Sequence, residues 1–321
     1  MRASRRLVLG LAALPLAARA QTDSYPNRTI RIVVPFAPGG PTDVMARVLA
    51  SGLTGPLGQP VVVENRAGGG GNVGAAHVAR QTPDGYTLLV VSTGFVVNPS
   101  LFRNPGYDPV KDFAPVTELG ASPNVILASA QSGITTLAEL IARAKAAPGG
   151  LDLANPGTGS TPHLTSELLR LSAGIEFVQI PHNSAALAVQ SLLGGTTPVG
   201  VTALPPAQPH IKSGAFRALA ITSASRWPDL PEVPTMVELG YPGFVSETFQ
   251  GLLAPAGTPP AIIARLSREV LAVLGDPVIK ARLQAAGFGI VASGPAGLAD
   301  RITREVPLWR DLIHRAGIPQ E

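Results

Sequence analysis

The chain of 321 residues contains no cysteine. That excludes disulfides, thiolate metal sites, a cysteine nucleophile and a lipid-anchored N-terminal cysteine. Aromatic residues make up 5%, too few for a stacking platform for sugars or nucleobases. No run approaches the ~18 consecutive apolar residues of a membrane-spanning helix. Of the five histidines, His77, His163, His182, His210 and His314, none stands in H-E-x-x-H or another metal spacing, and no metal site is expected. Neither a G-x-S-x-G nucleophile elbow nor a G-x-x-x-x-G-K-[ST] phosphate loop occurs. Charged residues are sparse at 14%, and no Lys/Arg run or basic stripe argues for nucleic acid.

What is present begins with an export signal. Arg2, Arg5 and Arg6 precede the apolar run Leu7–Leu16, and Ala18-Arg19-Ala20 is an A-x-A cleavage signal. Residues 1–20 therefore read as a signal peptide cleaved near Ala20, and a periplasmic location is expected. Ser4-Arg5-Arg6-Leu7 also fits a twin-arginine signal, so both export routes stay open. Of the 25 Lys+Arg in the chain, the signal removes Arg2, Arg5, Arg6 and Arg19 and no acid, which leaves 21 of each sign. The positive balance thus belongs to the signal and supports no anionic macromolecular partner.

Strand and helix patterns alternate through the rest. Thr29–Val34, Pro60–Glu64, Tyr86–Ser92, Asn124–Ser129, Leu151–Ala154, Phe177–Ile180, Pro198–Ala203, Ala215–Thr222 and Val245–Ala254 read as strands. Thr42–Leu53, Val73–Arg80, Ala185–Leu193 and Pro259–Leu274 read as helices. Thr136 and Glu139 form a capping box for a helix ending at Ala146. Asp276-Pro277 caps another that stops at Gly287. Trp227–Gly243 reads as a surface connection. Such alternation implies α/β architecture with open, mostly parallel sheets covered on both faces.

The most informative segment is Thr29–Asp43, T-I-R-I-V-V-P-F-A-P-G-G-P-T-D. A buried strand runs into a Pro/Gly loop, and a helix starts at about Thr42. Glycines admit a ligand close to the backbone, and the unpaired N–H groups of a helix start favour an anion. The loop therefore reads as a carboxylate receptor that needs no charged side chain, with Phe36, Ala37, Gly39, Gly40 and Thr42 as its candidate contacts and Asp43 beside them. Asp43 is either a cap at the helix start or an acceptor for a ligand ammonium or hydroxyl. Ser92, Thr93 and Asn98 follow a parallel strand, where ligands of open α/β sheets sit. Gly157, Thr158, Gly159, Ser160 and Thr161 precede Pro162 and a helix, and form a second anion receptor. Gly69, Gly71 and Gly74 match G-x-G-x-x-G, but Val91-Ser92-Thr93 stands where a dinucleotide fold needs an acid. A loop beside the cleft is the better reading, and no cofactor is expected.

These residues resemble the Bug family, the periplasmic receptors of tripartite tricarboxylate transporters. The resemblance runs through I-R-I-V-V-P-F-A-P-G-G-P-T-D-V-M-A-R (30–47), G-Q-P-V-V-V-E-N-R-A-G-G-G-G-N-V-G (58–74), P-D-G-Y-T-L-L (83–89), Y-D-P-V-K-D-F-A-P-V (107–116) and F-Q-G-L-L-A-P-A-G-T-P (249–259). It implies a periplasmic-binding-protein type II-like fold: two Rossmann-like lobes joined by crossing segments near Val116–Val125 and Val245–Gly251. Residues 21–124 with 244–321 would form lobe 1, and 125–243 lobe 2. It also implies a small carboxylated solute between the lobes, a membrane permease as partner and no catalysis. A free hinge suits a monomer.

Two family stretches are altered. Pro181-His182-Asn183-Ser184-Ala185 lacks the usual cation, and Thr202-Ala203 replaces a common aspartate-asparagine pair. Main-chain N–H groups are therefore expected to hold a single carboxylate, with His182, Asn183 and Thr202 reading the remainder. Two rivals stand beside a transport receptor: a loaded receptor that signals to a membrane sensor kinase, and a secreted hydrolase or isomerase using His163 or His182.

Overall fold

The computed structural model describes residues 25–182 and 184–320. The signal peptide, its cleavage near Ala20 and Asn183 lie outside the described residues. The elements run β1 (Ile30–Val34), α1 (Pro41–Leu57), β2 (Val61–Asn65), α2 (Asn72–Ala79), β3 (Thr87–Ser92), α3 (Gly94–Leu101), β4 (Phe113–Ser129), α4 (Leu137–Ala146), β5 (Asp152–Asn155) and α5 (Thr161–Ala173). They continue β6 (Val178–Pro181), α6 (Ala185–Leu193), β7 (Val199–Ala203), α7 (Leu204–Lys212), β8 (Phe216–Ile221), β9 (Glu247–Pro255), α8 (Pro260–Gly275), α9 (Pro277–Ala285), β10 (Gly289–Ile290) and α10 (Gly294–Ala316).

The strand order is β2-β1-β3-β9-β4-β7-β5-β6, with β8 and β10 also on β4. Each lobe has a parallel centre: β1 pairs β2 and β3, and β5 pairs β6 and β7. The expectation of mostly parallel sheets needs correcting, because every pairing of β4 and β9 is antiparallel. These two strands cross between the lobes. β4 pairs β9 through Phe113–Pro123, then β7 and β8 through Asn124–Ser129. The sequence pattern showed only the second part. Pro115 and Gly120 disguise the first, and the register shifts beside each of them.

Apolar layers cover both faces of each lobe. Met45, Leu49 and Leu53 of α1 join Leu266 and Val270 of α8 under lobe 1, and Phe95, Leu298 and Trp309 close its other face. In lobe 2, Leu140 and Leu169 pack on one face and Val189, Leu192 and Ala207 on the other. The Trp227–Gly243 connection is more than surface. Leu230, Val233 and Met236 are buried, and Met236 N–H donates to Ile221 O. Leu164 of α5 joins the α3–α10 cluster, so the lobes share apolar contact.

Caps form where local chemistry demands them. Thr136 Oγ1 accepts Glu139 N–H at 3.1 Å, and Asp276 Oδ1 accepts from Val278 and Ile279. The sequence reading missed α3, α7 and α10. In α7, Pro205 and Pro206 lie in the first turn, where a missing N–H costs nothing.

At the crossing, Asn124 is fully buried. Its Nδ2 donates to Thr165 Oγ1 at 2.9 Å and to Ser246 O at 3.3 Å, and its Oδ1 accepts from Thr248. One amide thus joins β4, α5 and the chain leading into β9.

Candidate functional site

Between the lobes lies a cavity of about 410 Å³, within the usual range for small-molecule sites. Lobe 1 contributes Phe36, Gly70, Ser92, Gly94, Asn98, Leu101 and Phe102. Lobe 2 contributes Pro156, Thr158–Pro162, Ala185 and Ala203, and the second crossing strand contributes Thr248. No described residue on this wall is charged. Of the residues expected from sequence, Phe36, Ser92, Asn98, Thr158, Gly159, Ser160 and Thr161 meet here.

Helix starts supply the polarity. The wall carries the first residues of α3 (Gly94), α5 (Thr161) and α6 (Ala185), and the residue preceding α7 (Ala203). A helix start bears partial positive charge, and unpaired N–H groups wherever its first residues are not proline. Pro162 in α5 and Pro205 and Pro206 in α7 supply none, so Thr161, Leu204 and the first turns of α3 and α6 carry the free N–H groups here. Ser160 caps α5, accepting His163 N–H at 3.3 Å and donating to Gly157 O at 2.7 Å. His163 is buried, and burial lowers its pKa. Its Nδ1 accepts Gly159 N–H at 3.3 Å, so it stands as a neutral ring bracing the loop.

The α1 start is occupied differently. Asp43 Oδ2 accepts Gly39 N–H at 2.9 Å and Arg47 Nε–H at 2.8 Å, and Oδ1 accepts from Asn65 at 2.8 Å. Burial pushes its carboxyl up, but these donors outweigh it and hold it below the ordinary carboxylate value. Asp43 is therefore the brace of its own loop. Ala37, Gly39, Gly40 and Thr42 share that loop and helix start, off the cavity wall.

Thr93, Gly157, His182 and Thr202 are also off the wall, each with a visible local setting. Thr93 Oγ1 donates to Glu247 O at 3.2 Å and accepts Phe249 N–H at 3.0 Å, tying β3 to β9. Gly157 N–H donates to Asn155 Oδ1, and His182 N–H to Asn155 O. His182 Nε2 and Thr202 Oγ1 are buried without a partner among the described residues.

Sequence reasoning missed Gly70, Gly94, Leu101, Phe102, Pro156, Pro162, Ala185, Ala203 and Thr248. The glycine run 68–71 stands out in the sequence, yet no signal in it singles out Gly70. Its φ of 63° needs glycine, and its carbonyl accepts from Asn98 at 3.0 Å.

The lobes meet tightly at one edge of the cavity. A side chain on Gly159 would collide with Leu101. Gly159→Ala is expected to be absorbed by rotation of Leu101, beyond ~1 kcal/mol of strain at φ 77°. Gly159→Trp is expected to hold the lobes apart. Small-angle scattering checks this: the Trp variant should show a larger radius of gyration than the parent, and an unchanged radius would contradict the tight seam.

Comparisons with known proteins agree with this architecture. The profile of the tripartite tricarboxylate transporter family receptor (TctC) matches residues 45–318. Protein BugT of Bordetella pertussis is 40% identical over 309 residues, covering 96% of this chain and 95% of BugT. The structure of the periplasmic binding protein BugD superposes with a TM-score of 0.81 at 37% identity, over 92% of this chain and 100% of BugD. The structure of R. palustris Rpa4515 with adipate gives 0.83 at 34% identity, over 92% and 100%. With a charge-free cleft between two α/β lobes and matches along nearly its whole length, the chain belongs to the tripartite tricarboxylate transporter receptor family.

Proposed function

We propose that the protein is a periplasmic receptor that holds a small carboxylated solute between its lobes and delivers it to a membrane permease of the tripartite type. One observation carries this reading: helix starts converge on a cavity wall without a charged side chain. Partial positive charge from N–H groups holds a carboxylate there without a competing counter-ion. The adipate bound to Rpa4515, a relative, supports the ligand class.

Residues 21–124 with 244–321 act as one lobe and 125–243 as the other, hinged at Ser122–Asn124 and Ser246–Thr248. Phe36, Ser92, Asn98 and Thr158–Thr161 are the proposed contacts. Closure removes water and strengthens each hydrogen bond to the solute. The closed form is what the permease recognises.

Thermal-shift measurements against mono-, di- and tricarboxylates, aromatic acids and amino acids test the reading. At a hundredfold excess over Kd, a true ligand should stabilise the fold by ~2.7 kcal/mol. A folded protein that no carboxylate stabilises would remove the reading.

A further inference from the structure

The two sides of the cavity differ in kind, and the difference specifies the ligand. On lobe 2 lie the starts of α5 and α6, the residue preceding α7, and the hydroxyls of Thr158 and Thr161. On lobe 1 lie Phe36, Leu101 and Phe102. Lobe 1 offers fewer donors, because its amide is already committed. Asn98 Nδ2 spends both hydrogens on Gly70 O at 3.0 Å and Asn72 Oδ1 at 2.7 Å. Since the Gly70 carbonyl can only accept, the amide orientation is settled, and Asn98 has only its Oδ1 left to offer. The Ser92 hydroxyl and the Gly94 end of α3 are the donors remaining on that side.

We propose that the solute is an amphipathic monocarboxylate. Its carboxylate sits against the α5, α6 and α7 starts of lobe 2, and a hexanoate- to phenylpropionate-sized apolar body lies against Phe36, Leu101 and Phe102. This rests on the carboxylate-receptor reading above and narrows it. A second carboxylate at the lobe 1 end would lose its water to an aromatic surface and two acceptor oxygens, with only the Ser92 hydroxyl and the α3 start to replace it. A buried charge with so few donors and no counter-ion is disfavoured. An apolar terminus there gains contact area instead.

The test compares hexanoate with adipate, which have the same carbon chain and differ by one carboxylate. Titration calorimetry on the purified protein also takes octanoate, phenylacetate, 3-phenylpropionate, citrate and 1-hexanol. The tightest monocarboxylate should bind at least tenfold tighter than adipate or citrate, a difference of ~1.4 kcal/mol. Hexanol should bind more weakly than hexanoate, because the helix starts select the anion. Phe102→Ala should weaken the monocarboxylates several-fold, and Phe102→Arg should shift preference toward adipate. Thr161→Val should weaken all carboxylates alike.

Adipate or citrate binding as tightly as every monocarboxylate overturns the inference and leaves the receptor reading standing. Hexanol matching hexanoate overturns the placement of the anion. Failure of every carboxylate overturns both readings at once.

Discussion

Replacing Arg301 by methionine is expected to cost about 3–5 kcal/mol of folding stability at neutral pH. The Arg301 side chain is 13% exposed and is surrounded by carboxylates from three elements. Its guanidinium donates to Glu118 of β4, lies 3.8 Å from Glu247 of β9, and approaches Glu305 of α10 at 2.8 Å. The Glu305 approach is not aligned for a hydrogen bond from Nε, so its attraction is mainly Coulombic. The cation also lies 4.7 Å from the centre of the Phe249 ring. Removing it leaves a buried acidic cluster without its counter-charge.

The pH dependence has a definite sign. Burial raises the carboxyl pKa of Glu118 and Glu247, and Glu305 adds to the rise, while Arg301 opposes it. A carboxyl raised in the fold stabilises most below its unfolded value, and that contribution fades as pH climbs through its folded value. The deficit of Arg301→Met should therefore shrink as pH falls from neutral, because the orphaned carboxylates take up protons. Asp43, Asp108, Glu139 and Glu238 are lowered and lose stability on acidification. That loss occurs in parent and variant alike, so the difference between them isolates the cluster. Urea unfolding of both proteins at neutral and mildly acidic pH measures it. A deficit that grows on acidification would contradict the assignment.

Gly74→Val is expected to cost about 3 kcal/mol and to abolish solute binding. A Cβ on Gly74 would lie 2.7 Å from Pro35 Cβ, 2.8 Å from Pro35 Cα and 2.9 Å from Arg66 O. Two of these are backbone atoms, so no rotamer change relieves the contact. α2 must move away from the end of β1, and Phe36 and Gly70 move with it. Denaturant unfolding reads the stability, and calorimetry reads the binding. Wild-type affinity in Gly74→Val would show that the β1–α1 loop does not build the wall. This packing explains the third glycine of the G-x-G-x-x-G match: it serves a helix–strand contact, and no dinucleotide is needed to account for it.

Features that depend on a few neighbouring residues could be read along the chain. Thr136 with Glu139, Ser160 before α5 and Asp276 before α9 each complete a hydrogen bond within four residues, so their spacing suffices. Ser92 ends one buried strand and Thr158–Thr161 follow another, where ligand loops belong. Asp43 was ambiguous because its deciding partner, Asn65, lies on β2. α3 and α7 were hidden because Pro99 and Pro209 sit inside them, and packing overrides that local penalty.

Chain order and local chemistry were enough to set the α/β class, the helix caps and the loops at the ends of β3 and β5, because those features close over short distances. The rest of the cavity wall was decided by folding alone. Leu101, Phe102, Ala185, Ala203 and Thr248 carry no ligand signal of their own, and they meet only because β4 and β9 bring two lobes face to face. The same geometry turned Asp43 inward to its own loop, since a buried carboxylate takes the nearest donors that the fold presents.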